Sequence, residues 1–197
     1  MNEELIYVFL FVGLVLGFLT GFFIFRGKLR KMEIQAKEDF LTKIPNYREF
    51  DKQMNNLLRQ SRKESFHFSV ALMDIDGFKT INDKYGYEAG DTILQECAEL
   101  IRLNTRTGDL IFRYKHGDEF SVILPEALHR GALKVAERIK NTIKSHNFTV
   151  EEEDISLTCS IGLVSVGTTD YDRKSLIRQL EKNLQKAKEK TDTVDPG

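Results

Sequence analysis

The chain has 197 residues, 41% of them hydrophobic, and its 29 basic residues nearly balance 30 acidic ones to leave a formal net charge of -1. That balance excludes the broad basic surface that holds a nucleic-acid polymer, and the length allows one ordinary core and little more. Two cysteines and four histidines, none at zinc-ligand spacing, exclude a disulfide framework and a zinc centre from the expectations.

The first element in chain order is the uncharged stretch Leu5 to Phe25, LIYVFLFVGLVLGFLTGFFIF. About 20 apolar residues at roughly 1.5 Å rise cross the hydrocarbon core of a bilayer, so residues 1–26 are predicted to hold a transmembrane helix. Glu3 and Glu4 precede the stretch while Arg26, Lys28, Arg30 and Lys31 follow it, the reverse of a secretory leader. The basic flank predicts a single pass through the inner membrane, with the N-terminus outside and the remainder cytoplasmic. Gly13, Gly17 and Gly21 recur every four residues, a spacing that lets two membrane helices approach.

Leu29, Met32, Ala36 and Phe40 recur at helical intervals, which predicts a short stalk helix over residues 27–40. Pro45 pushes Ile44 out of helical geometry, and Asn46 is placed to cap a helix from Tyr47 to about Lys63. Strand and helix patterns then alternate: FHFSVALMDID (residues 66–76) as a strand, AGDTILQECAELIRLNT (89–105) as an amphipathic helix, and FRYKHGDEFSVILP (112–125) as a β-hairpin. ALKVAERIKNTIKSH (132–146) reads as a helix, ISLTCSIGLVSV (155–166) as a strand and SLIRQLEKNLQKAKEK (175–190) as a closing helix. A hairpin within such an alternation predicts an α/β fold of the α+β type: one mixed, mainly antiparallel sheet flanked by helices, over residues 41–197. Cys97 and Cys159 fall on apolar faces and read as core thiols.

Two acidic clusters stand out. Asp74 and Asp76 share a face at the end of the first strand, and Asp118 and Glu119 lie at the hairpin. Lys115, His116 and Gly117 are too many for a two-residue turn, so a longer loop is expected, with Gly117 at positive φ. If the first strand lies beside the hairpin, Asp74 comes within reach of Asp118 and Glu119. Facing carboxylates repel unless they share a cation, and Mg²⁺ suits such a set because it leaves positions for water and phosphate.

DFLTKIPNYREF, MDIDGFKTINDKYGYEAGD, RYKHGDEFSVILP and LTCSIGLVS resemble, in this order, the successive signatures of the GGDEF domain of diguanylate cyclases, over roughly Asp39 to Lys190. The resemblance implies a polymerase-palm-like fold and the condensation of two GTP into cyclic di-GMP, with release of pyrophosphate, by a Mg²⁺- or Mn²⁺-dependent homodimer. It implies that Asp74, the Ile75 carbonyl and Asp118 hold the metal with Glu119 as a further ligand, that Asp118 is the base for the ribose 3'-hydroxyl, and that Lys79 offsets phosphoryl charge. It further implies that Asn82 and Asp91 read guanine, that Phe78 and its neighbours offer backbone N–H groups to phosphate, and that Lys188 binds a terminal phosphate. Arg106 to Asp109, RTGD, resembles the family's product-inhibition site.

The chain also departs from the family pattern. Its hairpin is one residue longer than R-Y-G-G-D-E-F, with His116 at the first Gly position; an outward bulge is expected to leave Gly117, Asp118 and Glu119 in place against the nucleotide. Tyr87 replaces a His and keeps one hydrogen-bond donor. Asp192 stands at a phosphate-binding Arg position, a change expected to weaken GTP binding by about 1–3 kcal/mol, and no final strand is expected. These departures carry an alternative reading: a non-catalytic module that binds GTP or cyclic di-GMP and signals by dimerisation or partner contact.

Overall fold

The computed structural model describes residues 12–14, 16–26, 37–64, 66–115, 117–167 and 171–197. The chain divides into two units, residues 1–38 and 39–197. In the first, residues 12–14 and 16–26 are helical (α1), and a Cβ at Gly13, Gly17 or Gly21 would stand in open space. Among the described residues no helix is long and apolar enough to cross a membrane; the expected span lies in part outside them, as do residues 27–36 of the expected stalk.

The stalk helix does not continue to Phe40. Residues 37–40 are not helical, and residues 40–42 form a turn in which Asp39 Oδ1 accepts from the Thr42 backbone N–H at 2.9 Å and from its hydroxyl at 2.7 Å, while the Lys43 N–H donates to the Asp39 carbonyl at 3.0 Å. An Asp that bonds its own local backbone offers the chain an alternative to helix, which periodicity alone does not register.

The second unit runs α2 (Tyr47–Glu64), β1 (Phe68–Ile75), α3 (Phe78–Leu103), β2 (Leu110–Arg113), β3 (Glu119–Pro125), α4 (His129–Ser145), β4 (Phe148–Val150), β5 (Glu153–Ile155), β6 (Cys159–Val166), α5 (Arg173–Lys188) and β7 (Val194–Asp195). Asn46 caps α2 as expected, its Oδ1 accepting from the Glu49 N–H at 3.2 Å. The main sheet has the order β2-β3-β1-β6-β7; β1 pairs antiparallel with both β3 and β6, and β7 pairs parallel with β6. This is the mixed, mainly antiparallel sheet that the hairpin pattern predicts.

Alternation along β1 builds two cores. Ala71, Met73 and Ile75 pack with Ile93 and Cys97 of α3 and with Ala136 and Ile139 of α4. Phe68, Val70 and Leu72 pack on the opposite face with Phe50 and Met54 of α2 and Leu180 of α5. Each fully buried Val, Leu, Ile, Phe or Met among them contributes about 1.5–3 kcal/mol. By parity Asp74 falls on the α2/α5 face, at the end of the strand.

Three elements differ from expectation. The helix predicted from Ala89 begins at Phe78, and non-helical backbone at Gly86 (φ 81, ψ 168) interrupts it. The strand predicted from Ile155 begins at Cys159, preceded by the separate hairpin β4–β5, whose turn holds Glu151 and Glu152 at φ 50 and 69. A final strand is present: β7 pairs Val194 with Ile161 and Asp195 with Gly162. All three are short or polar segments with little hydrophobic period to read.

Candidate active site

The two acidic clusters meet. Asp74 lies directly opposite Glu119 in the β1–β3 ladder and opposite Ser160 in the β1–β6 ladder. Residues so paired have Cβ atoms about 4.5–5.5 Å apart. Glu119 is thus the first residue of β3, facing α5, rather than a residue of the hairpin tip, because the Tyr114 N–H donates to the Glu119 carbonyl at 2.9 Å and closes the loop at Asp118.

Lys188, in the last turn of α5, donates to Asp74 Oδ2 at 2.8 Å. It reaches the strand end because α5 lies close on β6 at Gly162, where an added Cβ would come within 2.8 Å of the Leu180 carbonyl oxygen and of Leu184 Cα. Burial raises the Asp74 carboxyl above its ordinary range, the Lys188 hydrogen bond works against this, and the charge of Asp118 adds to it. Burial, followed by the charge of Asp74, raises Glu119 as well. Burial disfavours the Lys188 ammonium, yet its hydrogen bond to Asp74 leaves it above its ordinary value. One lysine does not offset three acids, so the cluster favours a proton or a further cation. Among the described residues no three His, Cys, Asp or Glu side chains form a ready metal cluster. The donors facing one another are hard carboxylate oxygens, the chemistry that Mg²⁺ and Mn²⁺ prefer.

Asp76 is engaged elsewhere. Its oxygens accept from the hydroxyls of Thr158 and Ser160, both at 2.7 Å, and from the Asp192 N–H at 3.0 Å. The residue pins the end of β1 to β6 and to the C-terminal segment. Asp192 belongs to the same fastening: its carboxylate pairs with Lys144 and its carbonyl accepts from Lys140 at 3.2 Å, both lysines on α4. The anion at the family's Arg position is thus matched by cations of this chain.

In the hairpin Gly117 has φ 100, as expected, and Lys115 also takes a left-handed conformation at φ 48. The pairing of Arg113 with Phe120 is intact. Exposed Lys115 lies over the Tyr114 ring and pairs with Glu181 of α5 at 2.5 Å. His116 lies outside the described residues.

At the start of α3, Gly77 occupies the N-cap with no side-chain hydrogen bond, and the first turn carries no acid. The Thr80 N–H already donates to the Gly77 carbonyl at 2.9 Å, and the N–H groups ahead of it, at Phe78 and Lys79, lie where a helix N-terminus receives an anion. Phe78 is buried and anchors the turn, while Lys79 next to it is exposed. Asn82 and Asp91 flank the Gly86 break, and Tyr87 is exposed beside it.

Arg113 carries a role that its place in a strand pattern hid. It is buried, it stacks on the Phe120 ring at 4.9 Å and it donates to the Gly117 carbonyl, while Nε and Nη1 have no partner among the described residues. Burial lowers its pKa, and the charges of Asp39, Asp118 and Asp91 oppose that. One guanidinium thus lies in the field of both the hairpin acid and the α3 acid.

Arg106 and Asp109 join at 3.2 Å, and Arg106 also donates to the Pro125 carbonyl at 2.7 Å. They open onto a cavity of about 820 Å³ that Arg130, Lys134 and Arg138 of α4 also line. A helical repeat of basic residues gives this wall, and the sequence reading did not single it out.

A family model described as "Diguanylate cyclase, GGDEF domain" matches residues 36–193. The chain belongs to that family. Among curated proteins it is similar to an uncharacterized membrane protein of Staphylococcus aureus, with 34% identity over 152 residues that cover 77% of this chain. Those residues are only 42% of the relative, so the chain spans about two fifths of the length of the curated relatives it matches. Among solved structures, the coiled coil and GGDEF domain of DgcB from Caulobacter crescentus, in complex with c-di-GMP, aligns with a TM-score of 0.84 at 21% identity, covering 90% of this chain and 94% of that one. The GGDEF domain of TpbB, also called YfiN, from Pseudomonas aeruginosa aligns with a TM-score of 0.75 at 29% identity, covering 80% and 92%. Diguanylate cyclase SiaD from Pseudomonas aeruginosa, in complex with its activator SiaC, aligns at 0.76 with 24% identity, covering 98% and 76%.

Proposed function

We propose that the protein is a diguanylate cyclase that condenses two GTP into cyclic di-GMP and releases pyrophosphate. The observation that carries the reading is Asp74 facing Glu119 across the ladder, within the field of Asp118 and beside Lys188. Asp74, the Ile75 carbonyl, Asp118 and Glu119 would hold Mg²⁺ or Mn²⁺. When bound, the ion supplies Lewis-acid stabilisation of phosphoryl oxygens.

The chain's own groups do the rest. The ribose 3'-oxygen of one GTP attacks the α-phosphorus of the other, pyrophosphate leaves, and Asp118 takes the hydroxyl proton; the second bond repeats the step with the roles exchanged. Lys79 and the backbone N–H groups of Phe78 and its neighbour spread the phosphoryl charge, Lys188 moves from Asp74 to a terminal phosphate, and Gly117 leaves room for the nucleotide beside the hairpin. Asn82 and Asp91 read guanine, with Tyr87 offering a further donor. Because each domain holds one GTP, turnover requires a homodimer. Arg106 and Asp109, with the basic wall opposite, form the product-inhibition site. Residues 1–26 anchor the chain in the inner membrane, residues 27–40 link them to the catalytic domain, and residues 41–197 lie in the cytoplasm; that the Staphylococcus aureus relatives are described as membrane proteins supports the anchor.

A second reading, a module that binds nucleotide without turnover, draws on the Lys115–Glu181 pair, which fastens the lengthened loop to α5. Full-length protein in nanodiscs, incubated with GTP and Mg²⁺ or Mn²⁺, separates the two by mass spectrometry of the products. The cyclase reading expects cyclic di-GMP; nucleotide binding with no product at high protein concentration selects the module.

A further inference from the structure

In a straight helix Asn82 and Gly90, eight residues apart, would be separated by about 12 Å at roughly 1.5 Å per residue. Here they touch. The Gly86 break folds the second half of α3 back, so that a Cβ on Gly90 would fall inside the contact radius of Asn82 Oδ1, 3.1 Å from Asn82 Cγ and 3.1 Å from Phe78 Cζ. Gly90 itself is buried and has no positive φ, so its backbone conformation is open to alanine. What it supplies is space, and the group using that space is the amide end of a flexible side chain.

We propose that Gly90 is a positioning residue for base selectivity: its bare Cα is the seat that holds the Asn82 carboxamide where it accepts a hydrogen bond from the guanine 2-amino group. This rests on the reading of Asn82 as a guanine contact. The placement of Gly90 next to Asp91 in sequence brings the seat and the second base-reading group, the Asp91 carboxylate, to the same turn, so one substitution displaces Asn82 while leaving Asp91 in its helix. The neighbours that must give way are side-chain ends and not backbone: the Asn82 amide is displaced outright and the rim of the Phe78 ring need yield only a few tenths of an ångström, so the fold tolerates the change while the amide does not keep its place.

The test compares GTP with inosine triphosphate, which lacks the 2-amino group, by calorimetric titration of the full-length protein. Wild type is expected to prefer GTP. Gly90→Ala is expected to weaken GTP binding about tenfold, the worth of one lost hydrogen bond, and to leave inosine triphosphate unchanged, with a thermal midpoint close to wild type. In an Asn82→Ala background, where the space is vacated, Gly90→Ala should add no further loss; that double variant also answers the question if the single one folds poorly. Equal weakening of both nucleotides, or the same penalty with and without Asn82, overturns the seat. If Asn82→Ala alone binds both nucleotides like wild type, the guanine-reading role of Asn82 falls, and the inference falls with it.

Discussion

Gly162→Ala probes how the site is assembled. Gly162 lies in β6, where its backbone has no positive φ, and by conformational entropy alone alanine would gain about 0.5–1 kcal/mol there. Contact reverses the sign. The new Cβ would lie 2.8 Å from the Leu180 carbonyl oxygen and from Leu184 Cα, and closer still to the Leu184 nitrogen, all of them backbone atoms of α5. Against an ordinary separation of about 3.5–4.0 Å, the helix must retreat by roughly 1 Å. Overpacking of this kind costs about 1–3 kcal/mol, so the net expectation is a loss of about 1–2 kcal/mol, read as a lower urea midpoint at unchanged slope. Lys188 lies one turn beyond Leu184, so the same retreat draws its ammonium from Asp74, and GTP affinity should fall with stability. Wild-type or greater stability would refute the argument that helix-to-strand contact at Gly162 sets the reach of Lys188.

Asp76→Ala removes three accepted hydrogen bonds between β1, β6 and the C-terminal segment, and is expected to cost about 3 kcal/mol in urea denaturation, far more than a surface carboxylate. Asp74 and Glu119 hold their protons more tightly in the fold than at the ordinary values of 3.8 and 4.5, so their contribution to metal-free stability is full below those values and is lost as the pH rises through the raised ones. Mg²⁺ should therefore raise the thermal midpoint more at about pH 8 than at about pH 5, and an equal rise at both would contradict the charge argument. Arg106→Ala should relieve product inhibition in an enzymatic progress curve, and superimposable curves would discard the basic cavity as its seat. Asp118→Ala should abolish cyclic di-GMP formation while the circular dichroism spectrum stays native.

Much of the frame was legible because burial leaves a period. α4 and α5 show a helical one and β1 an unbroken apolar run, and the parity of β1 carries Asp74 to the face from which α5 supplies Lys188. The acids were legible as a set from their places at the strand end and the hairpin. What escaped was made by contacts that no local pattern encodes. Gly86 breaks a helix whose polar first half had no apolar stripe to reveal it, and Gly90 and Gly162 matter only for what lies opposite them. Asp76 reads like Asp74 by spacing, yet Thr158, Ser160 and Asp192 claim it from distant parts of the chain. Arg113 looks like one more strand residue until burial leaves two of its nitrogens without partners among the described residues.

The most direct test of the metal-binding carboxylates uses 3'-deoxy-GTP, which binds but lacks the attacking hydroxyl, titrated into full-length protein with Mn²⁺ or with a chelator. Mn²⁺ is expected to tighten binding by at least about tenfold in the wild type and to lose that effect in Asp74→Asn and in Asp118→Asn. An undiminished Mn²⁺ effect in both variants would contradict the account.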